Sequence, residues 1–240
     1  MITPTTDRLR NFSTSSLFLL SVCMASIVIC LGAISPMFAQ NDGGFEVARV
    51  KYRGGGDWYN DPSSLANLIE FTRREAGLAV STSYKDVSLG SVELFSYPFL
   101  FLTGHGNITA NRTETENLRA YLDNGGFLYI DDDYGLDTHA RSLMKQVFPD
   151  EEFIEIPFEH PIYDQAFPFS SGLPKIHEHD NQSPQGFGIF RNGKLVVFYT
   201  FESNLSDGWA DAEVHGNPPQ LRLQALQMGA NILIYALTQS

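Results

Sequence analysis

The chain has 240 residues, with 16 Lys and Arg against 28 Asp and Glu, and a formal net charge of −12. Only Asp7, Arg8 and Arg10 carry charge before residue 41, so the acidic excess belongs to residues 41–240, and a surface this negative repels nucleic acid and anionic lipid. Both cysteines, Cys23 and Cys30, lie within the first forty residues, which excludes disulfides, thiolate metal sites and a cysteine nucleophile from the rest.

Arg8 and Arg10 precede an uncharged apolar run over residues 17–34, followed by Ser35-Pro36-Met37-Phe38-Ala39-Gln40. This pattern is expected to be a signal peptide cut after Ala39 or a retained N-terminal membrane anchor; either places the domain outside the cytoplasm, periplasmic or secreted. Residues 41–240 are long enough for a single well-buried α/β domain.

The alternation over residues 45–52 predicts a first strand, which leads into Arg53-Gly54-Gly55-Gly56-Asp57-Trp58-Tyr59-Asn60. A helix comes next, with Asp61 as its expected cap, Pro62 at its first helical position and Gly77 as its stop. A second strand region spans residues 78–89. Tyr97-Pro98-Phe99-Leu100-Phe101-Leu102-Thr103 is apolar on both faces and exits at Gly104-His105-Gly106-Asn107. Thr113 and Glu116 stand three apart, as a capping box requires, at the start of a helix that ends at Asn124-Gly125-Gly126. Phe127-Leu128-Tyr129-Ile130 then runs without polar alternation into Asp131-Asp132-Asp133, the pattern of a central parallel strand covered on both faces.

Another helix is expected over residues 137–148. Residues 150–186 lose periodicity and gather Pro157, Pro161, Pro168, Pro174 and Pro184; this is an irregular excursion, of the length usually kept for lids or binding loops, with one strand over residues 152–156. Asn192-Gly193 predicts the turn of a late hairpin, and residues 219–237 a final helix. Strands alternating with helices imply a doubly wound, mainly parallel sheet with helices on both faces. The unusual residues of four loops then collect at the carboxyl ends of the strands, where such sheets bind ligands.

Five ordered stretches carry a resemblance: residues 52–59, residues 98–106, residues 122–128 with the acidic tail, His160-Pro161-Ile162, and Asp207-Gly208-Trp209. Together they resemble the bacterial family called domain of unknown function 4159. The resemblance implies the flavodoxin-like fold of class I glutamine amidotransferases, and some longer relatives carry the domain behind a membrane-anchored region. The Gly-Gly-then-strand arrangement and His160-Pro161-Ile162 are also loosely similar to trehalose-utilisation-type proteins. The family brings no assigned reaction. Its superfamily's amidotransferases place a cysteine just after a central strand; this chain has aspartates near there, so thiolate hydrolysis of glutamine is ruled out.

Each candidate residue has a bland reading beside the chemical one. Asp131 and Asp133 face the same way if extended and can share a divalent cation such as Mg²⁺ or Ca²⁺, or they cap the next helix or simply stay solvated. His177-Glu178-His179-Asp180, with His105 and His160 nearby, would suit Zn²⁺; loop histidines more often face solvent. Gly54, Gly55 and Gly56 offer N–H groups to an anion, or simply let the chain turn. Asp57, Trp58, Tyr59, Tyr134 and Trp209 suit a sugar or peptide at a carboxylate-rich rim, or pack as core. Thr103 and Ser203 lack a nucleophile elbow.

His105 between two glycines is the best single catalytic candidate, paired with Asp131 or Asp132 as acid and base. The leading expectation is a non-catalytic binding module for a small molecule, glycan or envelope protein, because the superfamily's nucleophile is missing. The alternative is a metal- or acid/base-dependent hydrolase of envelope glycans or related polymers, working through His105, Asp131, Asp132 and Asp133.

Overall fold

The computed structural model describes residues 44–239; the expected leader, its cut after Ala39 and the tether over residues 17–34 lie outside the described residues. Seven strands form one sheet in the order β2-β1-β3-β4-β7-β6-β5. β1 (Val47–Lys51), β2 (Lys85–Ser88), β3 (Phe99–Leu102), β4 (Phe127–Asp131) and β7 (Lys194–Phe201) pair in parallel. β6 (Gln185–Arg191) and β5 (Ile154–Glu155) add an antiparallel edge. β3 and β4 are wholly buried, as their unbroken apolar runs demand.

Both faces of the sheet are covered. On one, Leu118, Tyr121 and Leu122 of α2 (Arg112–Asp123) and Ala140, Leu143 and Met144 of α3 (Asp137–Val147) pack on Leu100, Leu128 and Val197. On the other, α1 (Ser64–Ala76), the short α4 (Leu205–Trp209) and the long α6 (Pro219–Thr238) cover Phe101, Tyr129 and Phe198. Among the described residues no helix is long and apolar enough to cross a membrane.

Three local expectations shift. α1 begins at Ser64, two residues after the expected Pro62, and Asp61 does not cap it: Asp61 adopts φ 44° and its carboxylate turns to His215. The capping box is Asn111–Glu114 rather than Thr113–Glu116, because Glu114 also pairs with Arg53 through both carboxylate oxygens. Asparagine caps as well as threonine, so the ion pair decides the register. The second strand is shorter than residues 78–89, with Val80 only bridging Phe45. The hairpin turns at Asn192 and Gly193, both with positive φ, as a two-residue turn requires.

The proline-rich excursion is anchored rather than loose. Buried Asn231 of α6 accepts from the N–H groups of Ala166 (2.9 Å) and Phe167 (3.0 Å) and donates to the Tyr163 carbonyl (3.2 Å). Ile176 N–H then bonds the Ser203 carbonyl at 2.9 Å, which brings residues 177–180 to the carboxyl end of β7.

The β1 and β3 exits lie against each other. A Cβ on Gly104 (φ 120°) would stand 2.5 Å from the Tyr52 hydroxyl and 3.0 Å from the Asp57 carbonyl carbon, whereas one on Gly106 (φ 78°) would meet nothing. Gly104→Ala is therefore expected to destabilise by about 3 kcal/mol, against about 1 kcal/mol for Gly106→Ala. Thermal melts of the two variants check this, the first falling by roughly 6–12 °C.

Candidate functional site

Strand periodicity builds the floor of the site. Asp131 ends β4 opposite Thr200 of β7, two residues after Tyr129 on the same face. Its Oδ1 accepts from the Tyr129 hydroxyl (2.9 Å), Thr200 Oγ1 (2.6 Å) and Leu205 N–H (3.2 Å); its Oδ2 accepts from Ser206 N–H (2.6 Å). Asp131 is fully buried, and burial raises its pKa despite these four donors. This corrects the shared-cation expectation for Asp131 and Asp133, and equally the use of Asp131 as partner to His105. The strand stops at Asp131, so the two side chains diverge, and Asp131 is occupied in holding the start of α4.

Asp132 points to the opposite face, where its Oδ1 accepts from Leu136 N–H at 3.1 Å at the entry to α3. Burial, reinforced by the Asp131 charge, pushes its pKa up to about 6. It too makes no contact with His105 among the described hydrogen bonds and ion pairs.

His105 meets Asp133 and Asp57 instead. Its Nε2 lies 3.1 Å from Asp133 Oδ1 and its Nδ1 3.0 Å from Asp57 Oδ2, while its backbone N–H donates to Asp57 Oδ1 at 2.5 Å. The His105 side chain is 51% exposed and Asp133 only 4%. Burial pushes Asp133 up to about 7, the Asp207 and Asp131 charges adding and His105 opposing. Burial acts on Asp57 in the same sense, but the His105 hydrogen bonds and charge outweigh it and leave that carboxyl below its ordinary value. For His105, burial is outweighed by Asp133, Asp57 and Asp207, which hold the imidazole above the usual histidine value.

A second cluster adjoins the first. His177 Nδ1 is 2.6 Å from Asp207 Oδ2, and His215 Nε2 is 2.9 Å from both Asp61 oxygens and 3.7 Å from Asp207 Oδ1. The Asn204 amide nitrogen reaches Asp207 Oδ2 (2.8 Å), His179 Nε2 (3.2 Å) and His177 Nδ1 (3.4 Å). The bond to Asp207 raises the His177 pKa against burial, while burial lowers that of His179. Burial and Asp207 raise Asp61, with His215 opposing. The ligand atoms of His177, Asp207 and His215 all lie within 4.8 Å of one another, a set able to hold a metal ion.

Three oxygens in these clusters, Asn60 Oδ1, Asn204 Oδ1 and Asp207 Oδ1, are buried without a hydrogen-bond partner, while the Asn60 amide nitrogen donates to Asp133. Glu202 (φ 57°) and Asn204 (φ 58°) adopt the left-handed conformation that non-glycine residues rarely occupy. Strain of this kind persists where the surroundings enforce it, and it concentrates at functional sites. Here Lys175 holds Glu202 at 2.9 Å, and the Asp131 contacts hold the chain just after Asn204.

Other expected residues sit elsewhere. Trp209 is a correction: it is fully buried, its Nε1 donates to the Ala225 carbonyl at 2.8 Å, and it packs on Phe101 and Tyr129. Gly54 and Gly56 lie against the backbone of Asn107 and His105, and Gly56 N–H donates to the Asn107 carbonyl at 3.2 Å, so that donor is not free for an anion. Gly55 has open space around its Cβ position. Trp58 is held under Arg49 and Lys51 and against Tyr59. Tyr59 (60%) and Tyr134 (54%) are exposed, the latter stacking on His179 at 4.9 Å. His160 is engaged elsewhere and is not part of the His177, Asp207 and His215 group: its Nδ1 accepts from Ile162 N–H and its ring packs on Tyr235. Ser203 Oγ donates to the Pro174 carbonyl (2.6 Å) and Thr103 Oγ1 to the Asp131 carbonyl (3.3 Å), so neither hydroxyl is free.

Sequence reasoning missed Asn60, Asp61, Asn204 and His215 as site residues. It quoted Asp207 within a motif but singled out Trp209 beside it. The signal available was the phase of that motif: in a short buried helix, the polar member is the one that needs a chemical reason.

The raised carboxyls carry a stability consequence. A carboxyl whose folded pKa exceeds its unfolded one stabilises fully below the unfolded value, and that stabilisation is lost as pH rises through the folded value. For Asp132 the window runs from 3.8 to about 6, worth about 3 kcal/mol; Asp131 and Asp133 act in the same sense. The protein is therefore expected to melt higher near about pH 5 than near about pH 8, and Asp132→Asn to flatten that dependence, as read by thermal melts across the range.

No curated protein matches the chain. Residues 46–237, which include all five ordered motifs, match the family model described as Domain of unknown function (DUF4159). A match over this share of the sequence means that the chain belongs to the DUF4159 family.

Proposed function

We propose that the rim is the active site of an acid–base hydrolase acting outside the cytoplasm on envelope glycans or related polymers, with Asp57, His105 and Asp133 as its core. The observation that carries this reading is the separation of two carboxyls on one imidazole. Asp57 is held below its ordinary pKa and Asp133 is pushed up to about 7. Environments that drive two carboxyls apart assign one as the ionised partner and the other as the proton donor.

Asp57, ionised, accepts Nδ1–H and sets the tautomer, which leaves the Nε2 lone pair facing Asp133. Asp133 and Nε2 then share one proton near neutral pH. A ligand entering from the solvent side displaces one of them. Asp133 delivers the proton to the leaving oxygen, and Nε2 takes one from the attacking water. Exposed Tyr59 and Tyr134 are aromatic faces on which a sugar ring stacks. The sheet order β2-β1-β3-β4-β7 supports the flavodoxin-like, class I glutamine amidotransferase-like placement, with chemistry at the carboxyl ends as in other open α/β sheets.

The second reading is a non-catalytic binding module. Its support is that both His105 nitrogens already face carboxylates and that the nearby hydroxyls are bonded to protein carbonyls.

Release of reducing ends from soluble envelope polysaccharides decides between them. Wild type is expected to turn over at least one, and His105→Ala and Asp133→Asn to lower the rate by about 10²- to 10⁴-fold. Glycan binding without turnover, weakened by Tyr134→Ala, selects the binding module. Neither turnover nor binding overturns both readings.

A further inference from the structure

We infer that His177, Asp207 and His215 form a binding site for a first-row divalent transition metal ion of the zinc class. Three separate elements deliver the set: the anchored excursion brings His177, α4 brings Asp207, and the four-residue α5 (Ala212–His215) brings His215. The ligand atoms lie within 4.8 Å of one another, with His177 Nδ1 2.6 Å and His215 Nε2 3.7 Å from the Asp207 carboxylate. Zinc bonds of about 2.0–2.2 Å to nitrogen and oxygen put tetrahedral neighbours roughly 3.4 Å apart, so small side-chain movements seat an ion.

A second observation points to the same place. Asp207 is 3% exposed, and its Oδ1 has no hydrogen-bond partner; Asn204, fully buried beside it, leaves its own Oδ1 without one. A buried carboxylate oxygen lacking a donor is costly, and it is expected to be satisfied by a ligand. The 3.7 Å to His215 Nε2 is too long for a hydrogen bond but suits two atoms bound to one ion.

The donor set selects the metal class. Two imidazoles and a carboxylate suit zinc and its neighbours, whereas Ca²⁺ and Mg²⁺ require six or more oxygens or retained water. Asp61 contacts the His215 nitrogen that faces the ion, through both oxygens at 2.9 Å. It therefore borders the ion rather than backing the ring. Asn204, with its amide nitrogen on Asp207 Oδ2, orients that carboxylate. An ion here carries Lewis-acid capacity beside Asp133, yet the site does not depend on the rim being catalytic.

The test uses the full chain, purified without a histidine tag, stripped with a chelator and titrated calorimetrically. One equivalent of Zn²⁺ is expected to bind, with no heat from Ca²⁺ or Mg²⁺. His177→Ala and His215→Ala should each weaken Zn²⁺ binding at least about tenfold while His139→Ala, on α3, leaves it unchanged. Asp207→Asn, which conserves shape, serves if an alanine variant fails to fold. Co²⁺-loaded wild type should show visible d–d absorption that is lost in His215→Ala. No Zn²⁺ binding, affinity indifferent to every one of these ligand variants, or preference for Ca²⁺ or Mg²⁺ would each overturn the site. Metal binding without hydrolysis leaves it standing and removes only the hydrolase.

Discussion

The structure depends on one buried carboxylate. Asp131 has no solvent contact and accepts from a tyrosine, a threonine and two backbone N–H groups. A charge in that position is tolerated only because donors converge on it, and losing them would leave an isolated buried ion. The contacts weld the end of β4 to β7 and to the first turn of α4. That weld fixes where Asn204 and Asp207 project, and so sets the distance between the two histidine clusters. The most acidic part of the sequence is therefore partly framework: Asp131 and Asp132 anchor elements on opposite faces, and Asp133 alone of the three turns to the rim.

Around that frame, carboxylates and bases are interleaved. Asp57 and Asp133 flank His105, Asp61 and Asp207 flank His215, Asp207 also meets His177, and Glu202 meets Lys175. Like charges crowded at a strand end repel, which is why burial and neighbouring aspartates push Asp133 upward. His105 and His215 relieve that repulsion by position, since each sits between carboxylates drawn from different elements. The strained backbone at Glu202 and Asn204 and the unpartnered oxygens of Asn60, Asn204 and Asp207 belong to the same small region. Local cost collected in one place, inside an otherwise well-packed domain, is what makes this region the candidate site.

Much of the architecture was legible from residue order. The unbroken apolar runs of β3 and β4, the Asn192-Gly193 turn and the meeting of the Gly54–Gly56 bend, the His105 corner and Asp133 at one rim all came from pattern and turn chemistry. Asp61 was misplaced because Asp-Pro-Ser-Ser is a good helix start on local grounds, and a distant histidine overrode that preference. Trp209 was misplaced because an aromatic beside an aspartate looks the same whether it faces a ligand or Phe101. His215 left no trace, lying on a four-residue helix without periodicity.

What the sequence by itself determined is the mixed α/β class, the central strand with its acidic end, the lack of any cysteine after Cys30 and the strand rim at which the Gly54–Gly56 bend, the His105 corner and Asp133 meet. These rest on local rules: side-chain period, glycine conformation and the placement of polar residues just past apolar strands. Which carboxylate faces which histidine was decided only by the tertiary structure. Such pairing depends on separations of 48 residues for Asp57 and His105 and 154 for Asp61 and His215, distances over which no periodic signal survives. A strand continuing two residues further would have set Asp133 on the same face as Asp131, away from His105. It stops at Asp131 because the donors of β7 and α4 are there to meet it.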